Sequence, residues 1–163
     1  MFCTCFFKNF FVNLRRKFVT LRRKNTLYMY CFETQLRARY GETDQMGYVY
    51  YGNYPAYYEV VRNESMRGLG MSYSEMEKRG VMLPVREMHI EYKKPARYDE
   101  LLTIKMRLME MPVTKLLHSY EIYNEQGELL NKGTTVLVFV DAVTMKPCRC
   151  PEYFTEMLRP YFA

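Results

Sequence analysis

The stretch RYGETDQMGYVYYGNYPAYYEVVRNESMRGLG, residues 39–70, joins a glycine-flanked acidic loop to a segment that predicts one long helix. The loop is GETDQMG, residues 41–47. Asn53 is a residue type that favours the position before a helix, and Pro55 fits only in a first helical turn. We therefore expect a helix that begins directly behind the acidic loop, with Asn53 as its cap.

The composition of this helix predicts a central place in the fold. Residues 54–61 are apolar on nearly every side, which is typical of a helix wrapped by other structure, whereas residues 62–67 are polar and should emerge into solvent. Gly68 offers a left-handed end, with Leu69 as its apolar contact. The free N–H groups and the positive dipole end at the start of such a helix can stabilise an oxyanion. A loop carboxylate beside it therefore marks a candidate reaction centre.

The 163 residues suffice for one domain with a substantial core, and the formal charge of +6 is concentrated at one end of the chain. Residues 1–32 carry seven basic residues and no acidic one, so the other 17 bases and 18 acids leave residues 33–163 at −1. The body of the protein therefore has no broad basic patch for nucleic acid. No apolar run approaches the roughly 20 residues that span a bilayer, so we expect no stable membrane insertion.

Residues 1–28 differ in pattern from the rest, because a short phenylalanine-rich cluster is followed by two basic clusters. We interpret them as a disordered basic N-terminal extension, and residues 29–163 as the folded domain. A basic presequence or a membrane-surface helix is the alternative for the extension. The five cysteines are odd in number and contain no C-x-x-C pair, which favours reduced, non-catalytic thiols in a cytoplasmic protein.

Alternation of apolar and polar residues predicts five strands, one before the long helix and four after it. They cover residues 34–40, 85–92, 101–111, 116–123 and 134–140, with a hairpin turn at 124–127 and shorter helices at 74–79 and 152–158. Short connections between the last four strands favour antiparallel pairing. The simplest arrangement is an α+β fold in which one antiparallel sheet curls around the long helix.

Four motifs resemble the hotdog-fold acyl-CoA thioesterases. They are YGETDQMG at 40–47, VYYGNY at 49–54, Y-E-x-x-R at 58–62 and Y-x-x-PARYDEL at 92–101. The similarity is to the 4-hydroxybenzoyl-CoA thioesterase branch, including the bacterial short-chain enzymes linked to the Tol–Pal envelope system, and it covers residues 33–160. It implies a hotdog fold, a curled five-stranded antiparallel sheet around one long central helix.

The resemblance implies hydrolysis of an acyl-CoA thioester to a free acid and coenzyme A, with Asp44 as nucleophile or general base. The residues alone leave another interpretation open, in which Asp44 caps a turn through Thr43 and Gly47. Tyr51 stands where many relatives carry histidine. A phenol, with a reference pKa of about 10, is a poor base at neutral pH, so the acid–base work would fall to Asp44.

The resemblance also implies a substrate-binding set around Asp44 and no metal or redox cofactor. Glu59 lies inside the helix, where pairing with Arg62 or Asn63 is the interpretation that we favour over a catalytic one. His118 shares an apolar strand face, which predicts a hydrogen-bonded core histidine. The expected substrate-binding residues, of which the three basic ones would contact the phosphates of coenzyme A, are Gly47, Tyr51, Asn53, Tyr54, Glu59, His89, Lys93, Lys94 and Arg97.

Two other functions fit the same fold. A non-catalytic acyl-CoA-binding hotdog scaffold needs the pocket but not the carboxylate, and Asp44 counts against it. A hotdog hydratase or dehydratase usually carries a histidine in the loop, and none occurs between residues 41 and 54. Because a single curled sheet has exposed edges and the related proteins pair edge to edge, we expect a homodimer or a homotetramer.

Overall fold

The computed structural model describes residues 29–162, and it confirms the predicted α+β architecture. The strands are β1 (Tyr30–Arg37), β2 (Val81–Met82), β3 (Val85–Tyr92), β4 (Leu101–Leu108), β5 (Lys115–Tyr123), β6 (Leu129–Val138) and β7 (Val140–Asp141). Five of them form one antiparallel sheet in the order β1-β4-β5-β6-β3, and β2 and β7 form a separate two-stranded sheet. The helices are α1 (Tyr54–Gly68), α2 (Tyr73–Lys78) and α3 (Glu152–Phe162), and short 3-10 turns occupy Tyr40–Glu42 and Tyr51–Asn53.

The sheet buries one face against α1, and strand β4 shows why. Leu102, Ile104, Met106 and Leu108 alternate with polar residues along β4 and are all buried. Ile104 pairs with Thr34 of β1 on one side and with Ile122 of β5 on the other. The apolar residues of neighbouring strands therefore lie side by side and form one core layer beneath α1.

The first strand begins earlier than the sequence predicted. It covers Tyr30–Arg37 instead of residues 34–40, because buried Tyr30 and Phe32 extend the alternation towards the N-terminus. These two residues pair with Leu108 and Met106 of β4. Tyr40, expected to close the strand, lies in a 3-10 turn and is 79% exposed. Residues 1–28, predicted to be a disordered extension, lie outside the described residues.

Helix α1 is the long central helix of the predicted fold, and the residues that it buries form one stripe. Tyr57, Tyr58 and Val61 face the sheet, whereas Ala56 and Glu59 are exposed, which is the one-sided pattern of an amphipathic helix. The prediction that the second half emerges into solvent is wrong. The buried stripe continues through this half at Arg62, Ser65 and Met66.

The ends of α1 also differ from the prediction. Asn53 adopts a helical conformation, with φ −87° and ψ −19°, and its side chain caps no helix N–H. The left-handed residue after the helix is Gly70, with φ +95°, and not Gly68. Pro55 lies in the first turn, as predicted.

One close approach fixes the separation between α1 and the sheet. Tyr58 stacks on Tyr120 of β5, with ring centroids 4.2 Å apart and planes 9° apart. It also donates a hydrogen bond to Asn131. Gly133 of β6 pairs with Tyr120, and a Cβ atom at Gly133 would lie only 2.6 Å from Cε2 of Tyr58. Glycine is therefore required at this position for Tyr58 to reach the sheet.

The core also contains polar side chains on the helix side of the sheet. Arg62 donates to the hydroxyl of Tyr120 at 3.4 Å, and this hydroxyl is 2.7 Å from Oγ1 of Thr135. His118 is buried, as predicted, although its Nδ1 has no hydrogen-bond partner within residues 29–162. Burial, together with the charge of Arg62, lowers the pKa of His118 to about 3, so the imidazole is neutral.

The remaining elements close the domain. Ser72 caps α2 by accepting a hydrogen bond from the N–H of Glu75 at 3.2 Å. Helix α3 extends to Phe162 rather than ending at residue 158, and its Tyr161 packs edge-on against Tyr30 of β1. No helix in residues 29–162 is long and apolar enough to cross a membrane.

Candidate active site

A cleft of about 260 Å³ opens at the end of the sheet where β3 finishes and α1 begins. Three pieces of chain enclose it: the acidic loop, the first turns before and in α1, and the segment after β3. The lining residues are Asp44, Met46, Tyr48, Val49, Tyr51, Tyr54, Tyr92, Lys93, Lys94 and Pro95. The cleft therefore collects five of the predicted site residues: Asp44, Tyr51, Tyr54, Lys93 and Lys94.

The acidic loop is a small hairpin whose backbone presents Asp44 to the cleft. The N–H of Asp44 donates to the carbonyl of Tyr48 at 2.9 Å, and the N–H of Gly47 donates back to the carbonyl of Asp44 at 3.0 Å. Gly47 has φ +73°, a conformation that L side chains rarely adopt, so its role is conformational. The N–H of Val49 donates to the carbonyl of Ala96 at 2.8 Å and fixes the hairpin to the segment after β3.

Only one oxygen of Asp44 is used by the loop itself. Oδ1 accepts a hydrogen bond from the N–H of Met46 at 2.9 Å, which is the turn contact anticipated from the sequence. Oδ2 accepts no hydrogen bond from residues 29–162. The side chain is half-buried, and no other carboxylate of the described chain lines the cleft. Asp44 thus stabilises its turn and still offers an oxygen to the cleft.

Sequence reasoning missed Glu42, which anchors the loop. Its Oε2 accepts hydrogen bonds from the Arg39 N–H and the Tyr57 hydroxyl, both at 2.8 Å, and its Oε1 accepts from Arg39 Nε at 2.8 Å. Burial favours the neutral acid, but the hydrogen bonds from Arg39 and Tyr57 outweigh it and lower the pKa of Glu42. The local signal was Arg39 three residues before Glu42, whereas Tyr57 is too distant in the chain to be read from a motif.

Tyrosine side chains form one wall of the cleft. The rings of Tyr54 and Tyr92 meet edge to face with centroids 5.3 Å apart, and Tyr51 lies 6.5 Å from Tyr92. The Tyr92 hydroxyl donates to the Tyr51 carbonyl at 3.1 Å. Burial raises the pKa of both Tyr54 and Tyr92. These two phenols are therefore neutral and offer no base at neutral pH.

Two lysines that directly follow Tyr92 also line the cleft, and both already have partners. Lys93 Nζ lies 2.6 Å from a carboxylate oxygen of Glu91, and Lys94 Nζ lies 2.5 Å from one of Glu128. Arg97, the third member of the predicted basic cluster, does not line the cleft. Its guanidinium lies over the ring of Tyr48, 5.4 Å from the centroid.

Four other predicted site residues lie outside the cleft lining. Gly47 forms the hairpin turn, and the side-chain amide of Asn53 donates to the carbonyl of Glu42 at 2.8 Å. His89 is 72% exposed, 3.9 Å from Glu91. Glu59 is exposed on α1, and in the described chain it forms no ion pair with Arg62 and no hydrogen bond with Asn63, contrary to the predicted pairing with one of them.

No group of residues among 29–162 is arranged to hold a metal ion. The cysteines in this range, namely Cys31, Cys148 and Cys150, are free thiols. Burial raises the pKa of each of them. The cleft thus offers a carboxylate, the beginning of a helix, an aromatic wall and two ammonium groups.

Solved structures that resemble this chain define the class of protein. The DHNA-CoA thioesterase from Staphylococcus aureus is 38% identical in sequence and superposes with a TM-score of 0.74, over 80% of this chain and 88% of that protein. The hypothetical protein TT1821 from Thermus thermophilus is 33% identical, with a TM-score of 0.74 over 79% of this chain and 98% of the other. The fold is the hotdog fold of thioesterases.

The family follows from the sequence match. The model of the Thioesterase-like superfamily matches residues 38–158, and the chain belongs to this family of thioester hydrolases. Acyl-CoA thioester hydrolase YbgC of Escherichia coli O6:H1 is 36% identical over 121 residues, which cover 74% of this chain and 90% of that protein. YneP of Bacillus subtilis strain 168, provisionally designated an acyl-CoA thioesterase, is 38% identical over 133 residues, or 82% of this chain and 96% of YneP.

Proposed function

We propose that the protein is an acyl-CoA thioesterase in which Asp44 is the nucleophile or the general base. The observation that carries the proposal is the position of Asp44, the one carboxylate of the described chain that lines the cleft. The relatives named as acyl-CoA thioesterases support the substrate class. The net reaction consumes one water and converts R–CO–S–CoA into a carboxylic acid and free coenzyme A.

Two routes use Asp44 and give the same products. As a general base, Asp44 takes a proton from water while the water oxygen attacks the thioester carbonyl, and the coenzyme A thiolate leaves and is protonated. As a nucleophile, an Asp44 oxygen attacks the carbonyl, the thiolate leaves, and water then hydrolyses the acyl-aspartyl anhydride. Both routes need an unblocked carboxylate oxygen, and Oδ2 of Asp44 supplies one.

The beginning of α1 supplies groups that suit the developing oxyanion. Within residues 29–162, the backbone N–H groups of Tyr51 and Gly52 have no hydrogen-bond acceptor, whereas that of Asn53 donates to the carbonyl of Tyr50 at 2.9 Å. Tyr51 lines the cleft, and the positive end of the helix dipole lies at the same place. We assign the stabilisation of the tetrahedral oxyanion to this segment.

The two sides of the cleft divide the substrate between them. We assign the acyl group to the wall of Tyr51, Tyr54 and Tyr92, because neutral aromatic side chains bind apolar groups. We assign the phosphates of coenzyme A to Lys93 and Lys94. Their ion pairs are exposed and therefore contribute only about 0–1 kcal/mol each, so phosphate can replace the carboxylates at little cost.

Tyr54 closes the inner end of the acyl side. It is only 2% exposed, and its ring packs edge-on against Tyr57, with centroids 5.8 Å apart. A long acyl chain would have to displace these packed rings, which costs free energy because protein cores are close-packed. We therefore assign a short or single-ring acyl group to the site.

The exposed edge of the sheet supports assembly into a homodimer or a homotetramer. Strand β3 is an edge strand, and seven of its eight residues are exposed in the single chain. Proteins usually cover such an edge, because unpaired backbone groups invite pairing with other chains. We propose that β3 pairs with the same strand of a second copy. Light scattering at micromolar concentration should give at least twice the monomer mass, and a fully active monomer would rule this out.

The experiment that tests the function is a thiol-release assay with a panel of acyl-CoA substrates, with the free acid identified by mass spectrometry. We expect stoichiometric thiol and acid from short-chain or aryl substrates and little from long-chain ones. Binding of acyl-CoA without release of thiol would instead support the scaffold function. Conversion to a hydrated or dehydrated acyl-CoA would support the hydratase alternative.

A further inference from the structure

We propose that Glu42 is a positioning residue that holds Asp44 in place by tying the acidic loop to α1. The proposal rests on the function proposed above, because it assigns Asp44 the chemistry. Glu42 does not line the cleft, so it acts through its neighbours and not on the substrate.

The carboxylate of Glu42 connects two separate elements. Arg39, at the end of the segment after β1, donates to it through the backbone N–H and the guanidinium. Tyr57, on the buried face of α1, donates its hydroxyl at 2.8 Å. The side chain of Glu42 is only 13% exposed, so these donors replace nearly all of its contact with water. Hydrogen bonds to a charged group are stronger than those between neutral groups, so these contacts hold the Glu42 carboxylate firmly.

The main chain of Glu42 makes a second connection. Its carbonyl oxygen accepts hydrogen bonds from the N–H of Tyr50 and from the side-chain amide of Asn53, both at 2.8 Å. These residues flank Tyr51, which lines the cleft. One residue therefore fixes the segment that carries Asp44, the segment that carries Tyr51 and the helix behind both.

A glutamine at position 42 would weaken this arrangement without changing its size. The Glu42 carboxylate is the acceptor in all four of its hydrogen bonds, two of which come from the guanidinium of Arg39. An amide has one acceptor oxygen and two N–H groups of its own, so its nitrogen would face a donor. The hairpin would lose its fixed distance from α1, and a displacement of about 1 Å at a reacting group can cost about 100-fold in rate.

Glu64, which lies on helix α1 like Tyr57, offers a matched control for Glu42. Its side chain is also 13% exposed, and it also pairs with an arginine three residues away, Arg67, at 2.5 Å. It has no hydrogen bond to the acidic loop. Glu64→Gln therefore removes an equally shielded charge without touching the site.

The kinetic test compares Glu42→Gln, Tyr57→Phe and Glu64→Gln with the wild-type enzyme. We expect Glu42→Gln to lower kcat at least ~10-fold with KM within about threefold, because binding groups remain in place. Tyr57→Phe should lower kcat in the same direction by less, and Glu64→Gln should leave it within twofold. A Glu42→Gln enzyme with kcat within threefold of wild type, or with a rise in KM alone, would overturn the proposal.

A double variant separates positioning from a general loss of structure. If Glu42 acts through Asp44, Glu42→Gln should lower the residual rate of Asp44→Asn by less than twofold, because no positioned carboxylate remains. An equal loss in both backgrounds would contradict the proposal. If Asp44 is not the catalytic carboxylate, the result is different, because Asp44→Asn alone would then retain the wild-type rate.

Hydrogen exchange tests the positioning without any activity. In Glu42→Gln, the amides of Asp44, Gly47 and Tyr50, which are hydrogen-bonded within the loop, should exchange at least ~10-fold faster than in wild type. Glu64→Gln should leave them unchanged. Unchanged exchange of these three amides in Glu42→Gln would overturn the proposal even if the protein hydrolysed no acyl-CoA.

Discussion

Two aspartates occupy turns at opposite ends of the sheet, and their surroundings differ. Asp44 accepts one hydrogen bond, from the N–H of Met46, and its side chain lines a cleft. Asp141, the last residue of β7, accepts three on one oxygen, from the N–H groups of Val143 and Thr144 and from the Thr144 hydroxyl. Each turn uses only Oδ1 of its aspartate, but Oδ1 of Asp141 accepts three hydrogen bonds and that of Asp44 accepts one.

The comparison shows why an aspartate in a turn is not by itself evidence of catalysis. Hydrogen bonds from Thr144 and Val143 lower the pKa of Asp141, as a turn-stabilising carboxylate requires. No aromatic wall or lysine pair from residues 29–162 converges on it. The function that we propose for Asp44 rests on what the fold brings to it, namely the beginning of α1 and the end of β3.

Removing the charge of Asp44 should have the largest effect. Asp44→Asn keeps the oxygen that accepts from Met46, so the turn should lose about 1 kcal/mol or less. Turnover should fall at least ~100-fold, because a positioned acid–base group is lost. Thiol release and binding calorimetry on one preparation would test this. Hydrolysis within threefold of wild type would make Asp44 structural, like Asp141.

Removing the lysines of the cleft should have the next largest effect. The double substitution Lys93→Ala and Lys94→Ala should raise KM for acyl-CoA about 10-fold with little change in kcat, because two phosphate contacts are lost and the carboxylate remains. The increase should shrink at high salt. Lys105→Ala is the control, since this lysine lies 4.9 Å from the ring of Tyr123 and away from the cleft. An unchanged KM in the double variant would remove the lysines from the substrate site.

The corresponding change at Asp141 should affect stability alone. Because the pKa of Asp141 is lowered in the folded protein, its contribution to stability is present above its ordinary value of 3.8 and is lost as the pH falls through the lowered pKa. Asp141→Asn should therefore melt below wild type at pH 7, converge with it in acid, and hydrolyse acyl-CoA at the wild-type rate. A loss of turnover comparable to that of Asp44→Asn would abolish the distinction between the two turns.

The smallest effect is expected from removing residues 1–28. A chain that begins at Met29 retains both aspartate loops and every described strand. Its Tm should stay within about 5 °C of the full chain, a range that corresponds to roughly 1 kcal/mol, and its kcat should be unchanged. A larger fall in Tm would mean that the extension packs against the domain.

A strand was predictable where its own sequence contains both a regular alternation of apolar and polar residues and the residues that end the strand. Strand β3 has the predicted bounds, Val85–Tyr92, because the pattern is regular and Pro95 follows closely. Strand β1 begins earlier than predicted. Its first buried residues, Tyr30 and Phe32, adjoin the basic segment 1–28, which the sequence predicts to be an extension outside the folded domain. Its true beginning depends on pairing with β4, which no local pattern contains.

The site was predictable only in part, for the same reason. The motif located Asp44, and it placed Tyr51, Tyr54, Lys93 and Lys94 near it. Hydrogen bonds between residues that are distant in the chain could not be predicted. Glu42 accepts such a bond from Tyr57, fifteen positions away. The burial of Arg62 could not be predicted either, because a guanidinium next to helical glutamates predicts an ion pair on the surface. In the structure, Arg62 donates a hydrogen bond in the core to the hydroxyl of Tyr120, 58 positions away.

The close approach of Tyr58 to Gly133 has a consequence for mutational tolerance. Gly133→Ala would force the buried ring off Tyr120, and overpacking of this kind typically costs about 1–3 kcal/mol. Gly41, in the acidic loop, has no atom within 4 Å of the position that a Cβ would take, so alanine fits there. In a library of random variants, position 133 should retain glycine while position 41 diversifies. Efforts to widen the acyl site should therefore vary the cleft wall and leave the strand beneath the helix unchanged.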